Sequence, residues 1–182
     1  MAIAPYYIIG CDQPVPDYNC NPCPTTEKGR ISTAAFIKPD YSFTDPTNPT
    51  EWLQAIQDGN VVLIPNVRGK YDGGSEKKGD GYGRAIDRLM NYTFKADFKD
   101  LNLYPNAAFY DTIDKTENWK FAFFTGTLVW LVDAPCTIST NDAVTEDAES
   151  DVVWTANIVW QSLFKPRKFV APVGVQNCFA LD

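Results

Sequence analysis

Apolar and polar residues alternate along two long segments. In NYTFKADFKD, residues 91–100, Tyr92, Phe94, Ala96 and Phe98 fall on one side and Thr93, Lys95, Asp97 and Lys99 on the other. DVVWTANIVWQSLF, starting at Asp151, sets Val152, Trp154, Ala156, Ile158 and Trp160 against Val153, Thr155, Asn157, Val159 and Gln161. Successive side chains of a strand point to opposite faces, so both segments predict half-buried strands. Shorter apolar runs add more. Ile31 to Ile37 reads as a strand stopped by Pro39, and NVVLIPNV as a buried strand whose Pro65 marks an edge or bulge. NWKFAFFTGTLVWLVD reads as two strands turned at Thr125-Gly126-Thr127, followed by a short strand CTIST and a closing RKFVAPVG.

Two helices interrupt the strands. In DPTNPTEWLQAIQDGN, Asn48 is the expected N-cap, Pro49 the first helical residue, and Glu51 stands at capping-box spacing. Trp52, Leu53 and Ile56 give it an apolar side and Gly59 ends it. YPNAAFYDTIDKTEN predicts about three turns with Phe109, Tyr110 and Ile113 turned inward. About seven or eight strands in adjacent runs, without βαβ alternation, predict a mainly β protein. The expected architecture is an antiparallel β-sandwich or barrel with one or two flanking α-helices.

Composition changes this picture in three places. At 182 residues, one domain with its own core is expected. Residues 1–28 differ from the rest: CDQPVPDYNCNPCPTTEKG holds prolines at a density that blocks helix and ladder. The expected organisation is an irregular Cys/Pro-rich arm over 1–28 and a β-sandwich domain over 29–182, with a glycine-rich insert loop at 68–88. No apolar run approaches the ~18 residues of a membrane span, and MAIAPYYIIG lacks the basic start of a signal peptide, so neither a membrane partner nor secretion is expected.

The chain contains no histidine. Ser-His-Asp and Cys-His nucleophile systems and histidine-ligated zinc are therefore excluded, and no enzyme is expected. A net charge of −7 does not favour tight binding to nucleic acid, although DNA could slide past such a surface without sticking. Cys11, Cys20 and Cys23 place three thiols close together, with Cys136 or Cys178 as a distant fourth ligand. Structural zinc, free thiols and a late disulfide are all open for them; no other cofactor is expected.

The insert VRGKYDGGSEKKGDGYGRAIDR carries six of the eleven glycines. It lacks the lysine-serine or lysine-threonine of a P-loop, the spacing of a dinucleotide fingerprint and the carboxylate ladder of an EF-hand. Two readings are left: a solvated loop, or a projecting inter-subunit arm. In the second, Lys70, Asp72, Glu76, Lys77, Lys78, Asp80 and Arg84 would form salt bridges across the interface and Tyr82 would anchor it. A second tract, NDAVTEDAESD, holds Asp142, Glu146, Asp147, Glu149 and Asp151 with no cation. It reads as a solvated turn or as an acidic surface that repels DNA phosphates; calcium binding and paired-carboxylate hydrolysis are weaker readings. Trp130, Trp154 and Trp160 sit in strands and predict core packing, whereas Trp52 and Trp119 look freer.

The order GRISTAAFIK, DPTNPTEWLQAIQDGNVVLIP, GKYDGGSEKKGDGYGR, YTFKADFKD, FTGTLVWLVDAP and VVWTANIVWQ, covering residues 29–165, resembles a known group. It is similar to the tail-tube-like and ring-forming structural proteins of tailed bacteriophages of Bacteroidota, including the crAss-like group. The resemblance implies a tail-tube-like subunit that forms a homo-oligomeric ring around a DNA conduit and contacts other virion tail or connector proteins. It also implies assembly in the host cytoplasm and a final place in the virion. The cysteine arm is not part of that pattern. A capsid-decorating or host-surface-binding β module is the alternative expectation.

Overall fold

The computed structural model describes residues 29–77, 91–100, 107–142 and 153–175. Nine strands and two helices occur among them: β1 Thr33–Ile37, α1 Pro49–Gln57, β2 Val61–Ile64, β3 Arg68–Tyr71, β4 Ser75–Lys77, β5 Asn91–Asp100, α2 Ala107–Ile113, β6 Trp119–Phe124, β7 Leu128–Asn141, β8 Trp154–Ser162 and β9 Arg167–Val170. The protein is mainly β, and every strand pair is antiparallel. The strands share one sheet, ordered β2-β1-β6-β7-β8-β5-β3, with β4 added on β5 and β9 on β7.

The two ends of that path meet. Ile31, just before β1, bridges Gly69 of β3 through N–H···O bonds of 3.0 and 3.2 Å, and Val67 donates to the Ser32 carbonyl at 3.0 Å. The sheet therefore curls into a barrel-like form. Close approach at this seam demands glycine: a Cβ on Gly69 would lie 2.3 Å from the Asp97 carbonyl oxygen and 2.8 Å from the Phe98 Cβ. β2 and β3 form one bent strand, broken at Pro65 and at Asn66, whose φ is +60°.

The inward faces fill the curl with aromatic side chains. Phe36, Phe94, Phe98, Phe121, Phe123 and Trp160 are buried in one cluster, with Tyr71 and Trp130 packed against it. Many rings meet at 5.4–6.0 Å, including Tyr71 with Trp160, Phe94 with Trp160 and Phe123 with Trp130. A small interior is filled in this way rather than left as a channel. A second cluster covers the outer face of β1, β2, β6 and β7, where Trp52 and Ala55 of α1 and Val175 pack on Ala35, Phe124 and Val129.

Local rules account for α1. Asn48 Oδ1 accepts from the Thr50 N–H at 3.0 Å and Pro49 opens the helix. Glu51 does not close a capping box on Asn48; its carboxylate accepts from the Thr44 and Asp45 N–H groups at 2.6 and 2.8 Å and fixes the preceding turn. At the other end Gly59 has φ +66°, its N–H reaches Ile56, and the Asn60 N–H reaches Ala55, which is a Schellman closure. Trp52 is wholly buried, stacks on Phe43 at 4.2 Å and donates to the Pro46 carbonyl at 2.9 Å, so it belongs to the core.

Two elements differ from the sequence expectation. α2 has seven residues, because Lys115 at φ +58° turns the chain out of the helix. β7 runs for fourteen residues and absorbs CTIST. Its register against β6 shifts between Phe121↔Val132 and Trp119↔Cys136, and the extra residues, with Pro135 among them, form the irregularity. Proline fits such a site without ending the strand.

Candidate assembly surfaces

β5 connects the two charged tracts. At its start Asn91 pairs with Lys77 and Tyr92 with Ser162. At its end Asp100 pairs with Trp154, next to the Asn141↔Thr155 pair of β7 and β8. The insert therefore leaves the sheet at one end of the barrel and the acidic tract at the opposite end, about 30 Å apart along β5.

The insert is shorter than expected. Residues 68–71 and 75–77 belong to strands β3 and β4, and residues 78–90 lie outside the described residues. Lys70 sits on β3 and pairs with Asp97 of its own chain at 3.8 Å. Asp72 Oδ1 accepts from the Gly74 N–H at 2.9 Å and the Lys95 N–H at 3.1 Å, tying the β3–β4 turn to β5. Glu76 and Lys77 belong to β4 by their backbone, whereas Lys78, Asp80, Tyr82 and Arg84 lie outside the described residues. All three of the insert's glycines among the described residues are structural. Gly69 makes the seam, and Gly73 and Gly74 turn the chain at φ +74° and +88°. A Cβ on Gly74 would meet the Phe94 ring at 2.4 Å.

At the acidic end Asp142 is exposed, and Glu146, Asp147, Glu149 and Asp151 lie outside the described residues. α2 closes this end. Tyr110 stacks on Trp154 at 4.9 Å and its hydroxyl donates to buried Asp100 at 2.7 Å. Burial, followed by that bond and the Asp100 charge, pushes the Tyr110 hydroxyl well above the usual tyrosine range. Asp114 accepts from the Thr140 N–H at 2.8 Å, and this bond chiefly holds its carboxyl below the usual value.

Cys11, Cys20, Cys23 and Cys178 lie outside the described residues. Cys136 does not suit the role of a fourth zinc ligand: it is buried inside the curl, its thiol points at the Ala134 carbonyl, and burial pushes it up to about 12. No group of three or more metal-ligating side chains occurs among the described residues. No helix there is long and apolar enough to cross a membrane.

No family model, curated protein or solved structure matches the chain.

One surface was not foreseen. At the insert end, β9 pairs only with β7 among the described residues, and Val170, Val173, Leu163 and Phe164 are exposed around it. The Lys168 ammonium lies 4.3 Å from the centroid of Trp130, and Arg167 pairs with Asp133. Buried Trp130 Nε1 and Tyr71 Oη have no hydrogen-bond partner among the described residues. The available sequence signal was RKFVAPVG, a short apolar strand followed by proline and glycine. Its exposure depends on which neighbour it receives.

Proposed function

We propose that the protein is a structural subunit that assembles with copies of itself, as a ring- or tube-forming component of a phage tail or head-tail connector. The tail and connector assignment comes from the resemblance over residues 29–165. The segments that root the two charged tracts lie at opposite ends of β5, an arrangement compatible with self-association. A neighbour held at the insert end leaves the acidic end uncovered. One copy can therefore make an assembly contact and still present Asp142, Glu146, Asp147, Glu149 and Asp151 towards passing DNA, whose phosphates they repel. The Lys77↔Asn91 pair ties both ends of residues 78–90 to the sheet, so a contact made by the insert is anchored on β4 and β5.

Contacts that are head-to-tail in sense close into a ring when the rotation between copies permits. Light scattering over a concentration series, with negative-stain microscopy of the same samples, tests the reading. The expected result is a mass that rises with concentration and annular particles. A mass fixed at 20.4 kDa at every concentration, with no annuli, would overturn it.

A further inference from the structure

Among the described residues, β9 is paired on one side only. The Ala171 N–H donates to the Thr127 carbonyl at 2.8 Å, so residues 171, 169 and 167 form the hydrogen-bonded pairs with β7. The backbone N–H and C=O groups of Lys168 and Val170 point the other way, where no described strand lies. Beside them an open groove of about 330 Å³ is lined by Gly126, Thr127 and Val170 to Gly174. Val170 and Val173 are 68% and 90% exposed, which is unusual for valines at a strand end. An unpaired edge with an apolar border is a template for one more strand.

The same end of the molecule is where residues 1–28 join the fold. Ser32 donates its N–H to the Phe124 carbonyl at 2.9 Å and its hydroxyl to the Phe124 and Thr125 carbonyls at 3.2 Å, beside the turn that lines the groove. Within residues 1–28, Tyr6-Tyr7-Ile8-Ile9 is the one run of four aromatic and β-branched residues. It is followed by a spacer with Pro14, Pro16, Pro22 and Pro24. Proline spacers favour extension at about 3.1 Å per residue. Nineteen residues, 10–28, can span at most roughly 60 Å, enough to reach a neighbouring copy.

We propose that Tyr6–Ile9 of one copy adds as an antiparallel or parallel strand to the β9 edge of a second copy, with its apolar side chains against Val170 and Val173. This rests on the self-association proposed above and names one contact that would contribute to it beside the insert. The backbone groups of Lys168 and Val170 supply the hydrogen bonds, and the groove fixes which residues face the sheet.

Two variants separate the partners. Removing residues 1–12 takes away the added strand. Val170→Pro removes an edge N–H that serves no bond to β7, so its fold should persist and can be checked by circular dichroism. A labelled peptide of residues 1–12 should bind the truncated chain saturably in fluorescence anisotropy, and at least tenfold more weakly to a truncated chain carrying Val170→Pro. By light scattering, each variant alone should have a lower mass than the full chain. Mixed together they should associate, because one retains the edge and the other the strand. No peptide binding, or unchanged mass in both variants when the full chain associates, would overturn the strand addition and leave self-association standing. Failure of the mixture to associate while the peptide binds would overturn the second copy as occupant and assign the edge to the chain's own segment. A full chain that is monomeric throughout while the peptide binds would defeat the self-association and, with it, addition to a second copy.

Discussion

Gly69 shows how much of the fold can depend on one missing side chain. Any Cβ there would collide with the Asp97 carbonyl and Phe98, and those atoms are strand backbone and core with little room to move. Gly69→Ala should lower stability by about 1–3 kcal/mol, the usual penalty for overpacking. Gly29→Ala, which meets nothing within 4 Å, is the control; chemical denaturation of both variants checks the difference. Asp114 gives the acid side of the stability profile. Its folded carboxyl lies below the usual value because it accepts the Thr140 N–H. Such a group stabilises the fold above its unfolded value of about 3.9, and the contribution disappears as pH falls through the lowered value. Tryptophan fluorescence should therefore report an acid-induced loosening at the α2 end, where Trp154 stacks on Tyr110. In Asp114→Asn, which keeps an acceptor oxygen but cannot titrate, that acid step should shrink.

At the scale of elements, the insert divides at Lys77. Tyr71 stacks on Phe94 and Trp160 and touches Phe123 and Trp130, so it belongs to the core. Deleting residues 70–83 would remove it together with β4 and should unfold the protein, which makes that deletion useless as a test of assembly. Replacing 78–90 with Asn-Gly keeps the Lys77↔Asn91 pair and supplies the preferred two-residue hairpin turn. This variant should retain its circular dichroism spectrum and its melting temperature within a few degrees, while its tendency to associate falls. Association equal to that of the parent chain would remove the insert from the assembly contact. Legibility followed the same division. The alternation in β5 and β8 was readable because each has one buried face and one more accessible face. The continuation of β7 past Pro135 was not, because only the irregular pairing with β6 makes room for the proline.

At the scale of the whole molecule, the acidic end and the insert end should be separable by mutation. Changing Asp142, Glu146, Asp147, Glu149 and Asp151 to their amides removes five negative charges from the tract that follows β7. Self-association should be unchanged, and weak salt-sensitive DNA binding should increase in gel-shift experiments at low ionic strength. A loss of association would instead place the acidic end in the subunit contact. The tryptophans illustrate a different dependence on the whole. Trp52, which appeared free in the sequence, is sealed between α1, Phe43 and Phe124, because the outer face of β1 and β6 needs a cover.

Periodicity, caps and turn residues determined the class of fold, the start and stop of α1, and the β6–β7 hairpin, because each depends on neighbours a few positions apart. The same sequence excluded histidine chemistry and marked the insert and acidic tract as charged segments. Tertiary structure decided how the strands close, which glycines are needed for packing, that Cys136 is enclosed, and that β9 has no second partner among the described strands. These features arise between residues far apart in the chain: Gly69 becomes indispensable only when Asp97 and Phe98 approach it, and β9 is an edge only because no described strand follows it in the sheet.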